Sequence, residues 1–332
     1  MSFVPTILLI IVCVAHDNRR NFVVFFLSLS FFLSLYHRAS EMATLAATPT
    51  GGTPPKEVVA ITGSAGFIGS LLTEAFKREG YAVVGIDRAV PTSQHTSDEK
   101  AGFGVQKGNV DRVVDIADPK ACKGMFAGCN LVIHLAGDGN PSADFLASLV
   151  PNNIIAMHNV CKEAQASKVR RVIFASTNHT QIYGFEQMNA TKPSFAGKFH
   201  GAEHVGTVNT STPDCPSSLY GVSKILGEQM GNFFAVREKA FEFIGLRIGW
   251  VVYDDANAHK GTPLNDYLQS MFLSKEDCIG YFLAAARTTR IDKFFVGYAV
   301  SNNSTRLYDY EDTCRVLNFY PADYSGRLET IR

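Results

Sequence analysis

The sequence predicts an α/β protein built on a doubly wound parallel sheet, and three observations carry that expectation. Short apolar, β-branched-rich runs of strand length recur down the chain, with helical segments between them. A turn with glycines three apart, Gly63, Gly66 and Gly69, joins the first run to a helix. Polar or small residues then gather where runs end, at Asp87, Gly137 and Thr177. In such sheets ligands sit at the carboxyl ends of the strands.

Composition sets the limits. The 332 residues carry no formal net charge, so there is no broad basic field to hold nucleic acid by its phosphates. A 46% hydrophobic content is ample for a packed core. The seven cysteines (Cys13, Cys122, Cys129, Cys161, Cys215, Cys278, Cys314) are scattered, with no C-x-x-C pair. That pattern reads as reduced thiols of an intracellular protein, with no metal framework.

Residues 1–41 differ in kind. Two apolar runs, FVPTILLIIVCVA and FVVFFLSLSFFLSLY, flank HDNRRN. Neither reaches the ~18 apolar residues of a secure membrane span. The first resembles a signal-peptide core but has no basic residue before it. The expectation is a start at Met42, a cytoplasmic protein, and no membrane partner unless residues 1–41 are a real anchor. TPTGGTPP, residues 48–55, reads as a flexible arm. The expected organisation is a leader and arm over 1–55, a dinucleotide-binding portion with the catalytic residues over 56–250, and a small substrate-binding C-terminal portion over 251–332.

The elements follow in order. Val58–Thr62 is a buried strand, and Ile68, Leu71, Leu72, Ala75 and Phe76 recur at helical period until Gly80. A second strand, 82–86, ends at Asp87, roughly 20 residues after the turn, as the dinucleotide-binding (Rossmann) pattern requires. Gly63 permits the tight turn, Gly66 a close approach of backbone to a pyrophosphate, and Gly69 the packing of helix on strand. The helix N-terminus offers a positive dipole end. Asp87 accepts hydrogen bonds from ribose hydroxyls and repels a 2′-phosphate, so NAD is the expected cofactor, with Arg88 weakening the discrimination. Ala65, Phe67 and Ile68 join the glycines as cofactor contacts. A third strand is expected over 104–110, its Asn109 and Val110 flanking an adenine. A fourth, LVIHLAG, ends in Leu135, Ala136 and Gly137, small enough at the tip for a cofactor to lie close. A helix around 153–166 begins with Asn153, a further cofactor contact, and VRRVIFAST is the fifth strand.

Beyond it, SSLYGVSKILGEQMGNFF, residues 217–234, reads as a helix with Leu219, Val222, Leu226 and Met230 on its apolar side. Tyr220 and Lys224, four apart, share one face. A tyrosine is a poor base unless a cation favours its phenolate, and Lys224 supplies one.

Taken in order, TGSAGFIG, HLAG, AST and YGVSK resemble the extended short-chain dehydrogenase/reductase family, over roughly residues 56–332. The resemblance implies that Tyr220 is the catalytic base and Lys224 its modulator, both also contacting the cofactor, and that Thr177 is the third member, with Ser176 as runner-up. FASTNHT, YGVSKILGE, LRIG and FLSKED are similar to the uronate dehydrogenases and related NAD-dependent sugar-1-dehydrogenases. That similarity implies a sugar pocket lined by Ser176, Asn178 and His179. Departures are specific: Trp250 replaces the pocket serine after R-I-G, Gly139 or Asn140 replaces the serine after H-L-x-G, and residues 185–217 form a longer segment. The position of the group's carboxylate-binding arginine falls near Tyr267, and Lys260 is the substitute cation expected to meet an acidic substrate.

The expected activity is NAD-dependent oxidation of a sugar's anomeric carbon, on a uronate, aldose or aldose phosphate, to a lactone. A nucleotide-sugar epimerase or dehydratase with tightly bound NAD and a non-catalytic NAD(P)-binding regulator are the alternatives. A second copy of the chain is left open as a partner.

Overall fold

In the computed structural model the described residues are 57–88, 109–181, 208–251, 268–303 and 307–323, with the backbone of 9–16 and 19–26. Two compact units divide the chain, Met1–Pro55 and Lys56–Arg332. In the first, Leu9–His16 (β1) and Arg19–Phe26 (β2) pair antiparallel. Among the described residues, no helix is long and apolar enough to cross a membrane.

The second unit holds a seven-stranded sheet. Its strands are β3 (Val58–Thr62), β4 (Ala82–Asp87), β5 (Arg112–Val113), β6 (Leu131–His134), β7 (Arg171–Thr177), β8 (Glu242–Ile248) and β9 (Phe294–Ala299). They lie in the order β5-β4-β3-β6-β7-β8-β9, every pair parallel. The order reverses between β3 and β6, and the crevice above that point is where such sheets take ligands. The sheet is the doubly wound α/β arrangement that the strand and helix alternation predicts.

Helices cover both faces. They are α1 (Phe67–Arg78), α2 (Ala156–Ala166), α3 (Leu219–Asn232), α4 (Lys275–Arg287) and α5 (Glu311–Leu317). Because side chains alternate across a strand, each strand feeds two cores. Ala60, Val132, Val172, Phe174 and Phe243 pack with Met157, Val160 and Cys161 of α2 and with Phe234 beyond α3. Val59, Ile61, Ile133, Ile173 and Ile244 pack with Leu72 and Phe76 of α1 and Tyr281 and Phe282 of α4. Burial on both faces is why these strands read as continuous apolar runs. Arg171, 2% exposed, is the charged residue within β7. Its guanidinium bonds Glu242 and donates to the carbonyls of Ala285, Ala286 and Thr288, satisfying the end of α4.

Three expectations are corrected. The strand beside β4 is Arg112–Val113, not 104–110. Asn109 and Val110 precede it as irregular backbone, and 104–108 lie outside the described residues. Asp111 sets the register there, its N–H donating to the Gly85 carbonyl while its Oδ2 accepts from Gly85 N at 2.7 Å. The helix expected near 153 starts earlier, as a π-helical stretch Phe145–Ile155 that contains Pro151 and runs into α2. Pro151 has no N–H to give to a helix ladder.

In α3 the period is as expected, but the expected apolar side divides: Met230 packs against the core and Val222 is half-buried, while the two leucines face outwards. Leu219 and Leu226 are 50% and 39% exposed. The buried side is Gly221, Ser223, Lys224, Gly227, Glu228 and Gly231. A Cβ at Gly227 would lie 2.7 Å from the Phe174 ring, and one at Gly231 2.3 Å from the Phe243 ring, so glycines let α3 sit close on the sheet.

Candidate active site

The glycine turn makes a cradle at the end of β3. Gly63 has φ +73, and a Cβ there would lie 2.8 Å from Ala136 N. A Cβ on Gly69 would lie 2.1 Å from the Gly63 carbonyl, which fixes how closely α1 can approach the turn. No side chain caps the N-terminus of α1, so its dipole end is open to an anion. Ala65 and Phe67 are buried and Ile68 half-buried beneath the turn. Asp87 is held against this turn: its Oδ2 accepts from Ala65 N at 3.1 Å and its Oδ1 from Arg88 N at 2.8 Å. Asn109 is buried, its carbonyl pressed on Gly85, and Val110 half-buried. Leu135 and Ala136 are half-buried beyond β6, with Leu135 N bonded to the Thr62 carbonyl. A glycine turn, a helix dipole and an acid at the next strand's end fit a dinucleotide.

Asn153 is a clamp. Its Oδ1 accepts from Asp138 N at 2.7 Å, and its Nδ2 donates to the Asp138 carbonyl at 3.0 Å and to Ser223 Oγ at 2.9 Å. Ser223 Oγ in turn donates to the Tyr220 carbonyl at 2.7 Å. The loop after β6 is thereby tied to α3.

Across that clamp stand Thr177, Tyr220 and Lys224. α3 begins at the Ser218 cap, which accepts from Gly221 N, and this places Tyr220 at the open end of β7. The phenol hydrogen-bonds Thr177. Desolvation raises its pKa to about 12 against that hydrogen bond, and Asp138 adds to the rise. Lys224, 6% exposed, donates to the Ala175 carbonyl at 2.9 Å. Its ammonium lies 4.8 Å from the Phe174 ring centroid and 5.8 Å from that of Tyr220. Burial lowers its pKa to about 8, opposed by Glu228. His134, bonded through Nδ1 to Thr62 Oγ1 at 2.8 Å, is held neutral by burial and by Lys224, its pKa lowered to about 3. The pocket therefore holds a neutral phenol, a buried cation and a neutral imidazole behind it.

The other expected residues divide. His179 packs edge-on against Tyr220 with ring centroids 5.5 Å apart, and its buried Nδ1 has no partner among the described residues. Its backbone N–H donates to Thr177 Oγ1 at 3.2 Å. Ser176 is not with Thr177: strand alternation turns it to the α3 side, where its Oγ donates to Glu228 at 2.5 Å. Asn178 is buried, its amide directed to Met271 Sδ at 2.8 Å and Tyr308 Oη at 3.4 Å, within the cluster that also holds Tyr298 and Val300. Trp250 is half-buried, its backbone bridging Met271 and Leu273. Lys260 and Tyr267 lie outside the described residues. Among the described residues no group of His, Cys, Asp or Glu could hold a metal ion. Sequence reasoning assigned no role to His134 or Glu228, although both stand in the quoted HLAG and YGVSKILGE. Glu228, eight residues after Tyr220, was open to discovery by helical spacing.

Residues 59–252 match the model of the NAD dependent epimerase/dehydratase family. The chain is 32% identical over 275 residues to an L-arabinose 1-dehydrogenase (NAD(P)(+)) of Haloferax volcanii, covering 81% of this chain and 98% of the relative. It is 29% identical over 265 residues to an NAD-dependent glucose-6-phosphate dehydrogenase of the same organism, covering 78% and 94%. The crystal structure of uronate dehydrogenase from Agrobacterium tumefaciens shares the fold, with a TM-score of 0.61 at 22% identity over 83% of this chain and 88% of that one.

Proposed function

The chain belongs to the NAD-dependent epimerase/dehydratase family, and on that premise we propose that it oxidises the anomeric carbon of a free or phosphorylated sugar to a lactone. NAD, when bound, would supply the hydride acceptor. The turn of Gly63 and Gly66 would hold its pyrophosphate, and Asp87 its ribose. Thr177 and Tyr220 hydrogen-bond the anomeric hydroxyl. As the C1–H bond breaks and hydride leaves C1 with its electron pair, Tyr220 takes the hydroxyl proton and the C1–O bond becomes a carbonyl. Lys224 favours the phenolate form of Tyr220 through its positive charge. His179 reaches a ring hydroxyl through its unpartnered Nδ1 only if the pocket opens to that buried atom, and Asn178 only by releasing Met271 or Tyr308. The substrate's far end is assigned to the portion after residue 250.

The observation that carries this reading is the Thr177–Tyr220 hydrogen bond with the buried Lys224 ammonium one turn on. The names of the two relatives, a pentose dehydrogenase and a sugar-phosphate dehydrogenase, support a sugar as substrate. The test is a panel of neutral aldoses, uronates and aldose phosphates followed at 340 nm. Release of NADH into solution is expected; NAD that stays bound while the sugar is interconverted would favour an epimerase or dehydratase.

Two outcomes test the assignments. Asp87→Ala is expected to move preference towards NADP, by about tenfold for each 1.4 kcal/mol of repulsion removed, measured as the ratio of kcat/KM for the two cofactors. Wild-type preference for NADP would overturn the ribose argument. Lys260→Ala is expected to raise KM for acidic sugars and leave neutral aldoses unchanged, because a fixed cation serves a carboxylate or phosphate alone. Equal activity on both kinds before and after the change would remove the acidic substrate.

A further inference from the structure

We propose that the buried Glu228–Arg247 pair positions the catalytic pair: Glu228 sets its negative charge one turn behind the Lys224 ammonium, and Arg247 fixes that carboxylate in place. The proposal rests on the reading of Tyr220 as base.

Tyr220, Lys224 and Glu228 stand at i, i+4 and i+8, on the face of α3 that meets the sheet. Glu228 is 2% and Arg247 4% exposed. A carboxylate this buried needs a paired cation. Here the pairing is two-pronged: Arg247 Nε donates to Oε1 at 2.9 Å and Nη2 to Oε2 at 2.8 Å. Ser176 Oγ adds a bond to Oε1, so the residue before Thr177 is fixed by the same carboxylate. Arg247 also reaches Asp214 Oδ1 at 2.8 Å and Tyr298 Oη at 3.3 Å. Asp214 accepts from Gln181 Nε2 at 3.2 Å, in the stretch that leads into the Ser218 cap. One guanidinium thus ties β8, the inner face of α3 and the approach to α3.

The charges decide the function of this arrangement. Lys224 and Arg247 are cations, and Glu228 and Asp214 are anions, so the set is balanced. The remaining groups facing the catalytic pair are His134 on β6 and His179 after β7, both kept neutral by burial, and Asp138 after β6, which acts on Tyr220. Arginine does not give up its proton. Removing the charge of Glu228 therefore falls on Lys224, whose burial already favours the neutral amine. The phenolate–ammonium form of the pair then loses ground to the phenol–amine form, and the first proton leaves the pair at lower pH.

Glu228→Gln keeps the size and the acceptor oxygen but not the charge. With NAD and whichever of L-arabinose, glucose 6-phosphate or glucuronate gives the fastest NADH release, kcat is expected to fall about tenfold, with the acidic limb of its pH profile moved down by about one unit. KM is expected to stay near wild type, and thermal melting and NAD binding to report an intact fold. The double variant Glu228→Gln/Arg247→Met removes one charge of each sign and is expected to return the limb towards wild type. A limb that Glu228→Gln leaves unmoved, or one that the double variant does not return, overturns the proposal and reduces the pair to scaffolding. Tyr220→Phe measured alongside separates the two failures. If it retains activity, the base assignment itself is wrong; if it is inactive while the Glu228→Gln limb stays fixed, only the role of Glu228 is lost.

Discussion

Tyr220→Phe is expected to lower kcat by about 100- to 10,000-fold, the usual worth of a positioned acid–base group, while NAD binds as before. The phenol oxygen is bonded to Thr177 at the open end of β7, where the reacting oxygen is placed. No other described side chain offers an equivalent proton acceptor there. His179 meets Tyr220 edge-on, but its buried Nδ1 is shut from solvent, and Asp138 already accepts from Ser148 Oγ and Asn140 N. The cradle of Gly63, Gly66 and Gly69 does not involve the phenol oxygen, so cofactor affinity is the control. Stopped-flow or steady-state rates with fluorescence-monitored NAD binding make the comparison. A variant with most of its activity would assign the base elsewhere.

Lys224→Met is expected to have the second largest effect, and its signature is a direction. Tyr220 starts from a pKa pushed up to about 12 by desolvation, so the phenolate depends on a nearby positive charge. Without the ammonium the phenol holds its proton to higher pH. Each unit of rise lowers the phenolate fraction below its pKa about tenfold. The acidic limb of the rate profile therefore moves up, opposite to the shift expected when Glu228 loses its charge. Methionine keeps the apolar stem on Phe174, although the Ala175 carbonyl loses its donor. A rate that falls with an unmoved limb would make Lys224 a cofactor contact and nothing more.

How much of this was legible in the sequence depends on what kind of physics was asked of it. The glycine turn was legible because backbone geometry demands those residues whatever surrounds them. The helix period of α3 was legible too, but not its orientation. Leu219 and Leu226 looked like the core side, whereas close packing on Phe174 and Phe243 needs Gly227 and Gly231 there. The separation of Ser176 from Thr177 follows from strand alternation once Phe174 is known to face α3, a fact of tertiary packing. The third strand escaped because two paired residues and an aspartate side chain carry its register, with no apolar run to announce it. Arg247 and Glu228 lie 19 residues apart on different elements, and no local pattern announces such a partner.

The position of β9 at the sheet edge has a consequence for the chain while it is being made. β9 pairs with β8 along Phe243–Ile248, yet Phe294 follows Ile248 only after an intervening stretch that includes α4. At about 5–20 residues per second, the β8 edge of the nascent sheet stays unpaired for several seconds. Through that interval Thr177, Tyr220 and Lys224 already exist as polypeptide, while the strand that closes the edge beside them does not. An open edge of unpaired N–H and C=O groups is a template for pairing with other chains. The β8 edge is covered only when β9 has left the ribosome and paired along it.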